Sequence, residues 1–364
     1  MLKCCYLLLW FHMNRSNKNV TLKFLSKELG LHVSTVSRIL NGSMDDASSA
    51  AAPETIEKVK KLAADLNYRP NTLAKSLQSQ KTNVIGVLVP KLSDLVLANI
   101  YEGIDAAATQ NNYFTFVSNT NDLPINQKKL GEMALSRKVD GLIIADAHTG
   151  TEDSHQFFNE LIARDIPFVL VSRSLENFTS VTCDDYLGGS LAAEHLITEG
   201  HRRIAIISGE AFASTGLLRT KGFKDYSSSK NIMIPDDYII NCGFDVDSGY
   251  QAGLEILSKN ELPTAIFTVN DFIAIGVMGA IKDKGYIPGK DIAVVGFNNI
   301  SLTAQLPIPL TTIASPMSEM GFTAMELLLK KINKEQVDSI KLLPRLIKRN
   351  STLDYLIEES KDPT

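Results

Sequence analysis

The stretch VTLKFLSKELGLHVSTVSRILNG, residues 20–42, decides how this chain of 364 residues is read. Leu22, Leu25 and Leu29 recur at helical spacing, Thr21 stands where an N-cap hydroxyl belongs, and Gly30 where a glycine ends a helix. A second helix is predicted over residues 33–40. It turns Val36, Ile39 and Leu40 inward and leaves Ser34, Thr35, Ser37 and Arg38 outside. Short hydroxyl side chains and a guanidinium on one helix suit base edges and phosphates in a DNA major groove. Periodicity alone also allows a plain helical hairpin with a polar outer face, as the lesser alternative.

Charge places any phosphate contact at this end. Residues 1–81 carry 12 Lys and Arg against 6 Asp and Glu, and the remainder 25 against 35, within a net charge of -4. A basic head on an acidic body excludes a whole-molecule nucleic-acid coat and predicts salt-dependent binding confined to the first quarter. Cys4, Cys5, Cys183 and Cys242 have neither zinc-ligand spacing nor a disulfide framework, which suits a reducing cytoplasm. No run approaches the roughly 18 apolar residues that span a bilayer. The opening MLKCCYLLLWFHM has one Lys and a short apolar run with no small-residue cleavage site after it. It is read as upstream sequence, with Met13 as the native start.

Length suits two or three domains. After Gly42, SMDDASSAAAP reads as a surface loop, and Pro53 and Glu54 open a third helix to about Asn67 with Ile56, Val59, Leu62, Ala63 and Leu66 as its buried stripe. Arg69-Pro70 ends that helix, and Asn71 caps a short segment, TLAKSLQ. From Asn83 the pattern changes. Short β-rich runs (NVIGVLV, YFTFVS, DGLIIA, PFVLVS, RIAIIS, TAIFTV, DIAVVGF) alternate with amphipathic stretches, as in right-handed βαβ units with parallel sheets covered on both faces. Four runs before Cys183 and at least three after it predict two doubly wound lobes.

Enzymatic constellations are missing from the sequence: there is no G-x-S-x-G elbow, Walker loop, G-x-G-x-x-G or metal-type His/Cys spacing. His195 and His201 lie six apart, which suits no helical ligand pair, and His201 in Gly-His-Arg-Arg reads as structural. Ligands of open α/β sheets bind beyond the carboxyl ends of strands. Those positions hold Ser93 and Asp94, Arg173, Arg219, Asp271 and Asn298. Two arginines, an acid and several hydroxyl or amide groups suit a polyol, sugar or anion.

Taken together, the order of short motifs resembles the LacI/GalR family of bacterial repressors. They are Val20-Thr21-Leu22, Thr35-Val36-Ser37-Arg38, Leu40-Asn41-Gly42, Asn67-Tyr68-Arg69-Pro70-Asn71, Ala74-Lys75-Ser76-Leu77, Asp140-Gly141-Leu142-Ile143, Gly200-His201-Arg202-Arg203-Ile204, Pro309-Leu310-Thr311-Thr312-Ile313 and Pro344-Arg345-Leu346-Ile347. The likeness runs over nearly the whole chain after Asn19. It implies an all-α helix-turn-helix headpiece (19–69) after an N-terminal extension (1–18), a hinge helix and linker (70–82), a periplasmic-binding-protein-like core (83–356) and a tail (357–364). It further implies that a late helix, near 315–333, returns to the first lobe (83–183 and 315–341) rather than staying with the second (184–312 and 342–356). The chain read by itself would leave that helix with the second.

The resemblance also implies a function: a cytoplasmic repressor that binds a pseudo-palindromic double-stranded operator as a homodimer or tetramer, under control of a small effector, a sugar or related metabolite. No cofactor is implied. Val33, Ser34 and Arg38 would read bases, while Thr21, Thr35, Ser37 and Asn41 would hold phosphates. His32 stands where the family has a capping serine. It would either cap less well or meet a phosphate. In the hinge, with Asn71 and Ala74, Leu77 would wedge into the minor groove. Arg173, Arg219 and Asp271 match positions from which family members bind effectors. Two departures stand out: Asn298 replaces an acid, and Val96 and Leu97 replace aromatic residues, leaving Phe244 as the aromatic candidate. A stand-alone solute-binding protein and a sugar-processing enzyme are the alternatives. The basic head argues against the first, the missing nucleophile or paired acids against the second.

Overall fold

The structure, a computed structural model, describes residues 20–42, 44–69, 81–149 and 152–352. The predicted hinge residues Asn71, Ala74 and Leu77, the first 19 residues and the tail lie outside them. The chain divides into two compact units after Thr82.

The first unit is built of helices α1 (Leu22–Leu29), α2 (Val33–Asn41), α3 (Met44–Ala50) and α4 (Pro53–Asp65). The Thr21 hydroxyl accepts from the Phe24 N–H at 3.2 Å and so caps α1. Gly30 ends α1 at φ 64°, where a Cβ would be strained. Leu25, Val36, Ile39, Val59 and Ala63 form the buried core of the unit, with Leu22, Leu40, Ile56, Leu62 and Leu66 packed around it. One expectation is corrected. The stretch after Gly42 is not a loop but carries α3, whose Ala47 is buried. Asp45 and Asp46 sit in its first turn, where acids favour a helix, and the Ser48 and Ser49 hydroxyls donate back to the Met44 and Asp46 carbonyls. Small side chains here turn out to be helix-compatible packing rather than turn chemistry.

The second unit holds two six-stranded sheets. Its elements run β1 (Val84–Val89), α5 (Leu95–Gln110), β2 (Phe114–Asn119), α6 (Pro124–Ser136), β3 (Gly141–Ile144), α7 (Glu152–Ala163), β4 (Phe168–Val171) and β5 (Ser180–Cys183) in the first half. There follow α8 (Asp185–Thr198), β6 (Ile204–Ser208), α9 (Ser214–Ser229), β7 (Ile239–Asn241), α10 (Val246–Ile256), β8 (Ala265–Thr268), α11 (Asp271–Asp283) and β9 (Ala293–Asn298). The last are β10 (Thr311–Ala314), α12 (Met317–Ile332), β11 (Ile340–Leu342) and β12 (Arg345–Ile347). The first sheet has the order β11-β5-β4-β3-β1-β2 and is parallel throughout; the second has β12-β10-β9-β8-β6-β7, with β12 alone antiparallel. All seven β-rich runs are strands. Five further strands escape the apolar reading, because β5 (SVTC) and β10 (TTIA) mix hydroxyls into short buried runs and β7, β11 and β12 have three residues each.

Helix α12 packs on α5 of the first lobe. A Cβ at Gly321 would lie 1.9 Å from the Ile100 carbonyl oxygen, and one at Gly103 2.0 Å from that of Ser318. Two facing glycines thus let the helix backbones touch, and this contact draws the chain back across from the second sheet. The chain then adds β11 to the first sheet and β12 to the second.

Candidate functional site

Two surfaces carry candidate residues. On α2, at 100° per residue, Val33, Ser34, Ser37, Arg38 and Asn41 share an arc of about 140°, opposite the buried Val36 and Ile39. Val33, Ser34 and Arg38 are exposed, and Thr35 and Ser37 half-buried. His32 caps the helix: its Nδ1 accepts the Ser34 N–H at 3.3 Å and lies 2.7 Å from the Ser34 hydroxyl. An imidazole nitrogen therefore does the work of the expected serine oxygen. The Asn41 amide donates to the Ser37 hydroxyl at 3.3 Å, which ties together two groups on the outward face.

In the second unit, a cleft of about 1210 Å³ opens where the carboxyl ends of both sheets converge. Ser93, Asp94, Arg173, Arg219, Phe244 and Asn298 all line it. Asp94 also caps α5 by accepting the Val96 N–H at 2.9 Å. Burial pushes its carboxyl up, against that bond and the pull of Arg173. Asp271 is not brought to the cleft. It is 1 % exposed, and its oxygens accept from the Thr312 hydroxyl at 2.6 Å and the Ile300 N–H at 2.9 Å. Burial raises it to about 7 despite these bonds. Its neighbours Asn270 and Phe272 line the cleft instead.

Both arginines are held by carboxylates. The Arg173 Nη1 and Nη2 donate to the two Asp122 oxygens at 2.6 and 2.9 Å, a paired fork, and His148 Nε2 stands 2.9 Å from the same carboxylate. Burial would raise Asp122, but the bonds from His148 and Arg173 outweigh it and hold the carboxyl at about 2. Arg219 donates from Nε to Asp185 at 2.7 Å and from Nη1 to the Val269 carbonyl at 2.7 Å, its guanidinium carbon 3.7 Å from the Phe297 ring centroid. Asn298 sits at φ 107°, a conformation rare for a side-chain-bearing residue, and its neighbour Asn299 at 58°. The Asn298 Oδ1 is buried without a hydrogen-bond partner.

The two lobes also touch at the rim. The Phe212 carbonyl accepts both the N–H and the hydroxyl of Thr149, at 2.8 and 2.9 Å, and its ring stacks on His148 at 4.4 Å. The Ser174 N–H donates to the Ser214 hydroxyl at 3.2 Å. Asp122, His148, Phe212 and Asn270 are missing from the sequence-based set. Asp122 and His148 were within reach of the same rule, since they follow the runs YFTFVS and DGLIIA. Phe212 had no signal beyond being aromatic in a loop after a strand. With Phe244 and Phe272 it supplies the aromatic wall that Val96 and Leu97 do not.

Among the described residues, no group of three or more His, Cys, Asp and Glu could hold a metal ion. No helix among them is long and apolar enough to cross a membrane.

A model of the periplasmic binding protein-like domain matches residues 193–352. Catabolite control protein A of Priestia megaterium is 32% identical over 339 residues, covering 92% of this chain and 99% of the relative. Among solved structures, the lac repressor dimer bound to operator and the anti-inducer ONPF has a TM-score of 0.83 at 28% identity, over 92% of this chain and 100% of its own. The complex of the transcriptional regulator CelR with cellobiose has a TM-score of 0.69 at 26% identity, over 91% and 99%.

Proposed function

This chain belongs to the LacI/GalR family of transcriptional regulators, and from that premise we propose that it is a cytoplasmic, sequence-specific repressor switched by a small metabolite bound in the interlobe cleft. The lac repressor is seen as a dimer bound to operator, and CelR is seen with cellobiose. Here a dimer places two α2 helices in successive major grooves of a pseudo-palindromic operator. Val33, Ser34 and Arg38 read base edges, and Thr21, Thr35, Ser37 and Asn41 hold phosphates and set register. Leu77, with Asn71 and Ala74, forms the minor-groove hinge.

The observation that carries this reading is the outward face of α2, where Ser34, Ser37, Arg38 and Asn41 gather polar groups while the core takes only the opposite side. The effector adds a coupling of about 1–3 kcal/mol between cleft and operator, enough for a useful switch. Inverted repeats upstream of this gene and its neighbours, titrated with the purified chain by fluorescence anisotropy, test the DNA role. One of them is bound far more tightly than scrambled DNA, with affinity falling steeply as salt rises. Equal affinity for scrambled DNA rejects the proposal. Leu77→Ala weakens specific binding and leaves nonspecific binding nearly intact, whereas equal loss of both rejects the wedge. Whether a cleft ligand lowers or raises operator affinity then separates an inducer from a corepressor.

A further inference from the structure

We propose that the cleft is built for an uncharged polyhydroxy ligand and against phosphorylated or carboxylate ones, and that Asp122 sets this selectivity by neutralising Arg173. The inference rests on the effector reading above and narrows it. Three cationic and five acidic side chains line the cleft. Of the cations, Lys91 is exposed, Arg173 is forked to Asp122, and Arg219 is joined to Asp185 behind the wall. An anionic ligand would therefore meet no unpaired buried positive charge, while adding its own charge to a surplus of carboxylates.

The arginines remain useful as donors. Each guanidinium has five N–H groups, and two are engaged in Arg173 and two in Arg219. Those left can donate to hydroxyl oxygens without a net charge to be matched. The opposite need is just as specific. Asn298, a residue 3 % exposed in the cleft wall, carries in its Oδ1 an acceptor with no partner. Any partner for it must donate, as a hydroxyl does and a fully ionised phosphate or carboxylate does not. A ligand with hydroxyls on its rim and an apolar ring face would satisfy both, with Phe212, Phe244 and Phe272 beside it.

Two titrations on the full chain test this. In the first, melting is followed in neutral mono- and disaccharides and in the 6-phosphate and uronate forms of the same sugars. A neutral sugar that stabilises the chain should bind at least about tenfold more tightly than its anionic form. The reverse preference overturns the proposal. The second uses inorganic phosphate against chloride at matched ionic strength. The wild type should show no specific stabilisation, Asp122→Asn should gain it, and Asp122→Asn with Arg173→Met should lose it again. Phosphate stabilisation of the wild type that Arg173→Met removes overturns the proposal, even if Asp122→Asn does not fold, and so does a folded Asp122→Asn that gains nothing. Failure of the effector reading looks different: a ligand then binds the cleft with either charge preference and leaves operator affinity unchanged.

Discussion

The headpiece and the two-lobed core solve the problem of placing functional groups in opposite ways. The outward face of α2 is one helix, so its groups are set by the 3.6-residue period once Val36 and Ile39 are buried. The cleft gathers Ser93 from a loop beyond one sheet and Asn298 from the end of β9 in the other, and it draws on both sheets and the rim contacts. A reading face on a small core is easily placed and easily lost. A cleft on a large core is the reverse: its scaffold tolerates much, and its chemistry depends on which charges meet.

The largest expected effect breaks the comparison on the headpiece side. Leu25→Ala opens the small core of the first unit and costs about 2–5 kcal/mol, comparable with the whole stability of so small a unit. Operator binding should vanish in an anisotropy titration while the calorimetric melt of the second unit stays in place. Gly321→Val tests the other side. Its side chain would collide with the Ile100 carbonyl, so the core should lose about 3 kcal/mol, or roughly 6–12 °C of melting temperature, with circular dichroism as the check.

Arg38→Ala leaves both folds intact and should weaken operator binding by about 1–3 kcal/mol, with relaxed preference at the base pair it reads. Acid sharpens the contrast further. Burial pushes His195 and His201 down to about 4 from 6.5, so the unfolded chain takes up protons that the folded core refuses. Their contribution is present above pH 6.5 and lost as pH falls towards 4. Calorimetry should therefore show a shallower loss over that window for His195→Gln with His201→Gln than for the wild type. Asp271, raised to about 7, acts in the opposite sense, favouring the folded state as pH falls from about 7 towards 3.8. The smallest change is His32→Ser, which swaps one capping acceptor for another and should leave operator affinity within a few tenths of a kcal/mol.

Much of the fold was legible because burial on one side leaves a periodic trace. Leu22, Leu25 and Leu29, the stripe from Ile56 to Leu66 and the seven β-rich runs all show it. The helix after Gly42 was not, since serines, aspartates and alanines serve loops and helices alike until Ala47 finds a core. Cleft residues were found where the rule of looking beyond strand ends was applied, at Ser93, Asp94, Arg173, Arg219 and Asn298. That rule also picked Asp271, which turns inward, because position at a strand end does not say which way a side chain points.

By itself the sequence determined the helix-turn-helix, its outward groups and a paired parallel-sheet core, because each follows from local period and from the order of motifs along the chain. Only the tertiary structure decided that Asp122 claims Arg173, that Asp185 claims Arg219 and that Asn298 keeps a buried oxygen unpaired. The physical reason is that charge pairing depends on distances of a few ångströms between residues 34 and 51 positions apart, and no period in a sequence encodes such a distance.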